Sequence, residues 1–218
     1  MIRSSCSILK RAKQGGITLL LHSTHLYKNL PHILADGRIH TARELIEKHG
    51  HEHAARFLHD PHRYEQFAVG LDYINCSLTV PNAELLYHRS KSDWKADWVH
   101  LTLDLSRLNH AETLFSPVSA AAEYGKYLQN GRDGFQAMFA DVVHDFTREN
   151  LPQGEPTHPQ AEVLIKGPVL LKDVHAVLVP SRDVGQEVSR LCERHHISLS
   201  VEITPHLFAW PARLVKHR

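Results

Sequence analysis

The stretch HPQAEVLIKGPVLLKDVHAVLVP, residues 158–180, decides how this chain is read. It holds two apolar runs of strand length, AEVLI and HAVLVP, separated by Gly167-Pro168. Glu162 stands where a loop rich in turn formers enters the first run. An acidic side chain there costs burial energy unless it has a partner or a task. Gln160 precedes it by two residues, and the period of an extended chain places both on one side. A Gln-x-Glu at the mouth of a strand, behind a mobile loop, suits glycosidic chemistry. The carboxylate can bind a ribose hydroxyl and stabilise an oxocarbenium-like transition state, as carboxylates do in glycoside hydrolysis. The amide can donate to and accept from a base edge. A strand-start glutamate paired with a surface lysine fits the same letters.

Working outward, Ile17 to His22 in GITLLLHS reads as a buried strand. LYKNLPHILADG places Leu26, Leu30, Ile33 and Leu34 at helical spacing, with Gly37 as C-cap. Helical periodicity continues over residues 41–58. YINCSLTV (73–80) alternates as a half-buried strand ended by Pro81-Asn82, and AELLYHRS (83–90) reads as a short helix. WVHLTLDL (98–105) is a second alternating strand, with Val99, Leu101, Leu103 and Leu105 on one face. SAAAEYGKYL (119–128) and DGFQAMFADVV (133–143) read as helices, and LSVEI (199–203) as a last strand. Strands and helices mix without regular βαβ alternation, which fits an α+β domain with mainly antiparallel sheets and flanking helices. The absence of GxGxxG and GxxxxGK[ST] argues against Rossmann and P-loop sites.

The bulk numbers set limits. A chain of 218 residues, 42% hydrophobic and 22% charged, suffices for one well-cored domain. Residues 17–218 are read as that domain, and residues 1–16 as an N-terminal extension that is expected to be flexible. The formal net charge of +1 lacks the basic excess of a constitutive duplex binder, so any nucleic-acid contact is local. Cys6, Cys76 and Cys192 are widely separated and odd in number. They indicate neither a disulfide framework nor a thiolate metal site, and a cytoplasmic location is expected. The apolar run Ile17–Leu21 is too short for a signal segment or a membrane span. Nineteen histidines include the cluster His49, His51, His53, His59 and His62, yet no HExxH or ordered Cys/His spacing accompanies them, so no metal is expected.

Further candidates lie on both sides of these elements. His22, Ser23 and Thr24 close the first strand and Asn29 follows. Polar groups so placed can hydrogen-bond a carboxamide, although Ser23 or Thr24 can equally cap a helix. Arg63 precedes the strand at 73–80 and is suited to clamp phosphates or orient an acceptor, with Arg56 as a rival. HRSKSDWKADW (88–98) interleaves Arg89, Lys91 and Lys95 with Trp94 and Trp98. That pattern suits a single strand with stacked bases, and an ordinary charged turn as well. Trp98 opens an apolar strand and is the less suitable platform.

Taken in this order, the landmarks resemble the DarT family of toxin ADP-ribosyltransferases. They are a strand ending in His and Ser/Thr, an Asn-Leu-Pro-x-Ile-Leu-x-x-Gly helix, an Arg-containing stretch, a strand running into Pro-Asn with Leu-Tyr after it, and a late Gln-Ala-Glu-Val-Leu-Ile strand. TLFSPVSAAAEYGKYLQNGRDGFQAMF (113–139) resembles the family's central region. The resemblance spans roughly residues 18–180. It implies an ADP-ribosyltransferase-like fold, NAD⁺ as a substrate and single-stranded DNA as the acceptor. It also implies a macrodomain antitoxin as partner. By residue, it implies Glu162 as the catalytic glutamate, His22 with Ser23 or Thr24 on the nicotinamide, Asn29 on NAD⁺, Arg63 on the acceptor base or phosphates, and Gln160 on base choice. Arg89, Lys91 and Trp94 are expected along the DNA. The spacing from His22 to Asn29 is one residue longer than the family pattern, which leaves Ser23 and Thr24 both open. Ser119 stands where that pattern has Asn. The wording VPNAELLY points to guanine rather than thymine. An RNA or protein acceptor, or an inactive binding domain of the same fold, remain as alternatives.

Overall fold

The computed structural model describes residues 7–54, 68–90 and 97–210, so Arg56, Arg63, Lys91 and Trp94 lie outside the described residues. The chain opens with helix α1 (Ile8–Gln14), whose N-cap Ser7 hydroxyl accepts from the Lys10 N–H. Residues 7–16 are thus an integral element: Ala12 is fully buried in the main core. The Ile17 N–H closes the helix by donating to the Ala12 carbonyl at 2.9 Å. That closing turn occupies residues 15–17 and displaces the expected first strand. β1 is Leu20–His25, and it continues through the polar residues because β4 (Trp98–Leu103) supplies ladder partners along its whole length, from Leu20↔Leu103 to His25↔Trp98.

Six further strands complete an eight-stranded sheet. They are β3 (Tyr73–Leu78), β5 (Leu114–Ser116), β6 (Gln129–Asn130), β9 (Glu162–Lys166), β11 (Val174–Val179) and β12 (Ser200–Ile203), in the order β12-β11-β4-β1-β3-β9-β5-β6. Every pairing is antiparallel except β11 with β12. Those two are joined by helix α6 (Arg182–Arg194), an amphipathic helix absent from the sequence reading that makes one local βαβ unit at the sheet edge. Two small ladders flank the sheet: β2 (Arg38–Ile39) with β10 (Val169–Leu170), and β7 (Val142–Val143) with β8 (Phe146–Thr147).

The pairing of β1 with β3 is short. Only Leu20↔Leu78 and Leu21↔Ser77 are in register, whereas β3 pairs with β9 from Tyr73↔Lys166 to Cys76↔Val163. Beyond Leu21 the sheet therefore parts into two halves, one following β1 and β4, the other β3 and β9. Apolar side chains hold each half. Leu20, Leu78, Val99, Leu101, Val163 and Val177 belong to the main core, and Leu21, Ala176 and Leu178 meet Leu207 and Phe208. β4 is consequently buried at all six positions, not on the one face expected from its alternation. The second face is covered by Phe208, whose ring stacks on His100 at 4.5 Å. Leu105 lies past the strand in a 3-10 turn.

Other elements follow the sequence with local corrections. Helix α2 (Leu30–Asp36) ends at left-handed Gly37 (φ 68°) as expected. Helix α3 (Ala42–Ala54) is kinked at Gly50. Helix α4 (Ala83–Arg89) is capped by Asn82, whose side-chain oxygen accepts from the Leu85 N–H. Residues 119–128 are not a helix: Glu123 and Tyr124 take positive φ around a short 3-10 turn. Helix α5 (Gly131–Ala137) stops before 138–141, and Val142-Val143 pair as a strand. A Cβ on Gly134 would lie 2.5 Å from the Gln129 carbonyl oxygen. Gly134→Ala is therefore expected to lower stability by about 1–3 kcal/mol despite alanine's helix propensity. Urea unfolding of the two proteins checks this, and equal midpoints would show that α5 shifts without cost.

Among the described residues, no helix is long and apolar enough to cross a membrane. Nor, among the described residues, is any group of three His, Cys, Asp or Glu placed to hold a metal. His59 and His62 of the histidine cluster lie outside the described residues.

Candidate active site

The parting of β1 from β3 opens a cleft. Its wall includes His22, Thr24, Asn29, Asn75, Arg89 and Glu162. Polar residues gather here because strands that separate leave their facing positions without ladder or core partners.

Glu162, the first residue of β9, is 6% exposed and both of its carboxylate oxygens are held. Oε1 accepts from Asn75 Nδ2 at 3.1 Å, and Oε2 accepts from the Ala120 backbone N–H at 2.6 Å. These two donors offset the cost of burying a carboxylate and fix its plane. Across the cleft, the His22 ring donates from Nδ1 to the Asn75 backbone carbonyl at 3.0 Å. A carbonyl only accepts, so the proton is on Nδ1 and the neutral ring keeps an acceptor at Nε2. Burial lowers the His22 pKa, and the bond to Asn75 opposes that shift in part, so the ring is neutral at pH 7.

Ser23 and Thr24 both line the cleft, and their hydroxyls differ in their partners. Ser23 hydrogen-bonds His100 Nδ1 through its hydroxyl at 3.0 Å. Burial and the nearby His22 push the His100 pKa down to about 3, so that ring too is neutral. Thr24 is 1% exposed, lines the cleft, and its hydroxyl has no hydrogen-bond partner among the described residues. A buried hydroxyl left in that state costs free energy and is suited to a bound ligand's polar group. Asn29 lies half-buried in the wall, at the N-cap of α2, without a side-chain cap bond.

Gln160 is placed elsewhere. Residues 158–161 form a turn, with the Ala161 N–H on the His158 carbonyl, so the period-two argument that put Gln160 beside Glu162 does not apply. The Gln160 side chain donates from Nε2 to Glu84 at 2.8 Å, tying the approach to β9 to α4. The preceding loop, expected to be mobile, is pinned. The Arg148 guanidinium donates to the carbonyls of Glu155, Pro152 and Gln153, and the Thr79 hydroxyl donates to the Gly154 carbonyl. Arg89, at the end of α4, does reach the cleft wall. Trp98 is a core residue, 3% exposed, and its Nε1 donates to Ser90.

Three residues of this site escaped the sequence reading: Asn75, Ala120 and His100. Asn75 carried a faint signal, because an amide inside the alternating run YINCSLTV is disfavoured in a strand without a task. Ala120 acts through its backbone, and no side-chain pattern reports that.

A mainly antiparallel sheet that splits around a buried carboxylate and a neutral histidine has the architecture of an ADP-ribosyltransferase. The family model described as "ssDNA thymidine ADP-ribosyltransferase, DarT" matches residues 21–209, and the chain belongs to that family. No curated protein matches the chain by sequence. Among solved structures, it is similar to Thermosipho africanus DarTG in complex with ADP-ribose (TM-score 0.60, 17% identity, 88% of this chain and 51% of that one). The chain thus spans about half the length of that relative. It is also similar to Thermus sp. 2.9 DarT in complex with NAD⁺ (TM-score 0.60, 15% identity, 88% and 98%). The same Thermus protein in complex with ADP-ribosylated ssDNA gives a TM-score of 0.59 at 17% identity, over 88% and 96% of the two chains.

Proposed function

We propose that this chain transfers ADP-ribose from NAD⁺ to a nucleobase of single-stranded DNA in the cleft between β1 and β9, with Glu162 as the catalytic carboxylate. The observation that carries this reading is the buried Glu162, held by two donors opposite a neutral His22. His22 Nε2 accepts from the nicotinamide carboxamide, and the Thr24 hydroxyl supplies a further polar contact. Thr24 is preferred to Ser23 because the Ser23 hydroxyl is engaged by His100. Asn29 binds NAD⁺ beside them. Glu162 holds the ribose hydroxyl and stabilises the positive charge that develops as nicotinamide leaves. A nitrogen of the base then attacks the anomeric carbon, brought in line by binding both substrates. Arg63, on the acceptor or the phosphates, completes the catalytic set. Arg89, Lys91 and Trp94 hold the strand, and Gln160 contributes to base choice through its tie to α4. A single strand is required because the base must leave its stack to reach the cleft.

The family description supports thymidine as the acceptor, and the wording Val80–Tyr87 supports guanine. Family membership and the Thermosipho relative named DarTG support a toxin role with a macrodomain antitoxin, acting in the cytoplasm. The deciding experiment incubates the protein and NAD⁺ with four oligonucleotides, each carrying one type of target base in an inert context, and weighs the products. One added ADP-ribose on a single oligonucleotide supports the reading and names the base. Intact oligonucleotides and intact NAD⁺ would remove it in favour of another acceptor or an inactive fold.

Thr24→Val is expected to leave folding stability unchanged or slightly raised, since it removes a buried hydroxyl without a partner. It is expected to raise the KM for NAD⁺ about tenfold, the value of one hydrogen bond near 1.4 kcal/mol. Steady-state kinetics with a saturating oligonucleotide tests this. An unchanged KM alongside a raised KM in Ser23→Ala would reverse the choice between the two hydroxyls.

A further inference from the structure

We infer that Asn75 is a positioning residue that aligns the two walls of the cleft, holding Glu162 with its side chain and His22 with its backbone. The inference rests on the reading of Glu162 as the catalytic carboxylate.

Asn75 sits on β3, at the point where β1 has already left the ladder. Its two polar ends face opposite ways. The Nδ2 amide donates to Glu162 Oε1 at 3.1 Å, on the β9 side. The backbone carbonyl accepts from His22 Nδ1 at 3.0 Å, on the β1 side. The bond from His22 thereby crosses the split where β1 and β3 no longer pair, and the bond to Glu162 ties the same residue to the carboxylate within the β3–β9 half. The consequences differ at each end. At Glu162, one carboxylate oxygen is fixed by Ala120 and the other by Asn75, so the plane of the carboxylate is set by both. Without Asn75 a single donor remains and the carboxylate can pivot about it. At His22, the carbonyl selects the tautomer with the proton on Nδ1, which leaves Nε2 as an acceptor. That second role belongs to the backbone and survives a change of side chain.

This division makes the inference testable by substitution at one position. Asn75→Ala removes only the hold on Glu162. Asn75→Asp keeps the size and the backbone but replaces a donor by a carboxylate beside a carboxylate, so the two share a proton over part of the pH range. Among the described residues, the titratable and charged groups lining the cleft with Glu162 are His22 on β1, His32 on α2, His40 after β2, Tyr73 and Cys76 on β3, and Arg89 on α4. The Cys76 thiol is kept protonated by burial first and by the Glu162 charge second, so it does not titrate in the working range. His22 is common to all variants.

Purified wild type, Asn75→Ala, Asn75→Asp and Glu162→Ala are compared for kcat against pH, KM for NAD⁺, and NAD⁺ binding. In Asn75→Ala, kcat is expected to fall about 100-fold while NAD⁺ binding changes by less than about threefold. In Asn75→Asp, the acidic limb of the kcat profile is expected to move to higher pH by about one unit or more. Wild-type kcat in Asn75→Ala overturns the inference. So do losses in which NAD⁺ binding falls in parallel and the limb of Asn75→Asp stays in place, since that marks a merely structural role. Undiminished transfer by Glu162→Ala would instead remove the reading of Glu162 itself, whatever Asn75 does.

Discussion

Glu162→Gln is expected to lower DNA ADP-ribosylation by about 10³-fold or more while the protein still folds and binds NAD⁺. The size of the effect follows from what the substitution removes. Glutamine fills the same space but carries no charge to meet the one that develops on the ribose as nicotinamide departs. Its one oxygen can accept from either Asn75 or Ala120, and its amide must then face the other donor. That mismatch costs about 1–3 kcal/mol of stability. Removing a charge from a position only 6% exposed works in the opposite direction. The net change in stability is therefore small beside the change in rate. The measurement is single-turnover formation of modified oligonucleotide, with NAD⁺ affinity and thermal unfolding run on the same samples. A folded variant that retains the wild-type rate assigns the chemistry to another group.

The second large effect concerns stability and pH. His100 is fully buried, stacked on Phe208 and bonded to Ser23, and its pKa is pushed down to about 3 from the usual 6.5. The folded ring therefore refuses a proton that the unfolded chain accepts below pH 6.5. Its contribution to stability is fully present above 6.5 and is lost as the pH falls from 6.5 towards 3. The slope is about 1.4 kcal/mol per pH unit in that window, or about 2 kcal/mol between pH 6.5 and 5. His22, whose pKa burial also lowers, adds in the same direction. The test isolates His100 by comparing urea unfolding of wild type and His100→Phe at pH 7 and pH 5. The variant keeps a ring against Phe208 but cannot titrate. Its deficit relative to wild type is expected to shrink by about 2 kcal/mol on acidification. Parallel losses in the two proteins would show that His100 takes up a proton in the folded state. Neutral His100 also keeps positive charge away from His22, so the same burial serves the site.

The relation between the letters and the site is uneven for identifiable reasons. The late strand with Glu162 at its head, the helix ending at Gly37 and the strand ended by Pro81-Asn82 were legible, because apolar runs and turn formers act locally. The family resemblance rested on the same landmarks, and with them came the expectation of NAD⁺ and single-stranded DNA. Periodicity misled where the chain serves a neighbour more than itself. SAAAEYGKYL has helical composition, yet Ala120 is drawn onto Glu162 and the following residues turn through positive φ. Gln160 matched the period of a strand that does not begin until Glu162.

By itself, then, the sequence determined the α+β class and most of the strands, since these follow from local patterns of apolar and polar side chains, whereas the choice of Glu162 and His22 as the residues to watch came from the family resemblance. Tertiary structure alone decided that β1 leaves β3 after Leu21 and opens the cleft. It also decided that Asn75 and the Ala120 amide hold the carboxylate, and that Thr24 rather than Ser23 keeps an unengaged hydroxyl among the described residues. These are relations between segments separated in the chain, set by which strand finds which partner. The free energy that fixes them lies in burial and ladder pairing across the sheet, which no window of neighbouring residues contains.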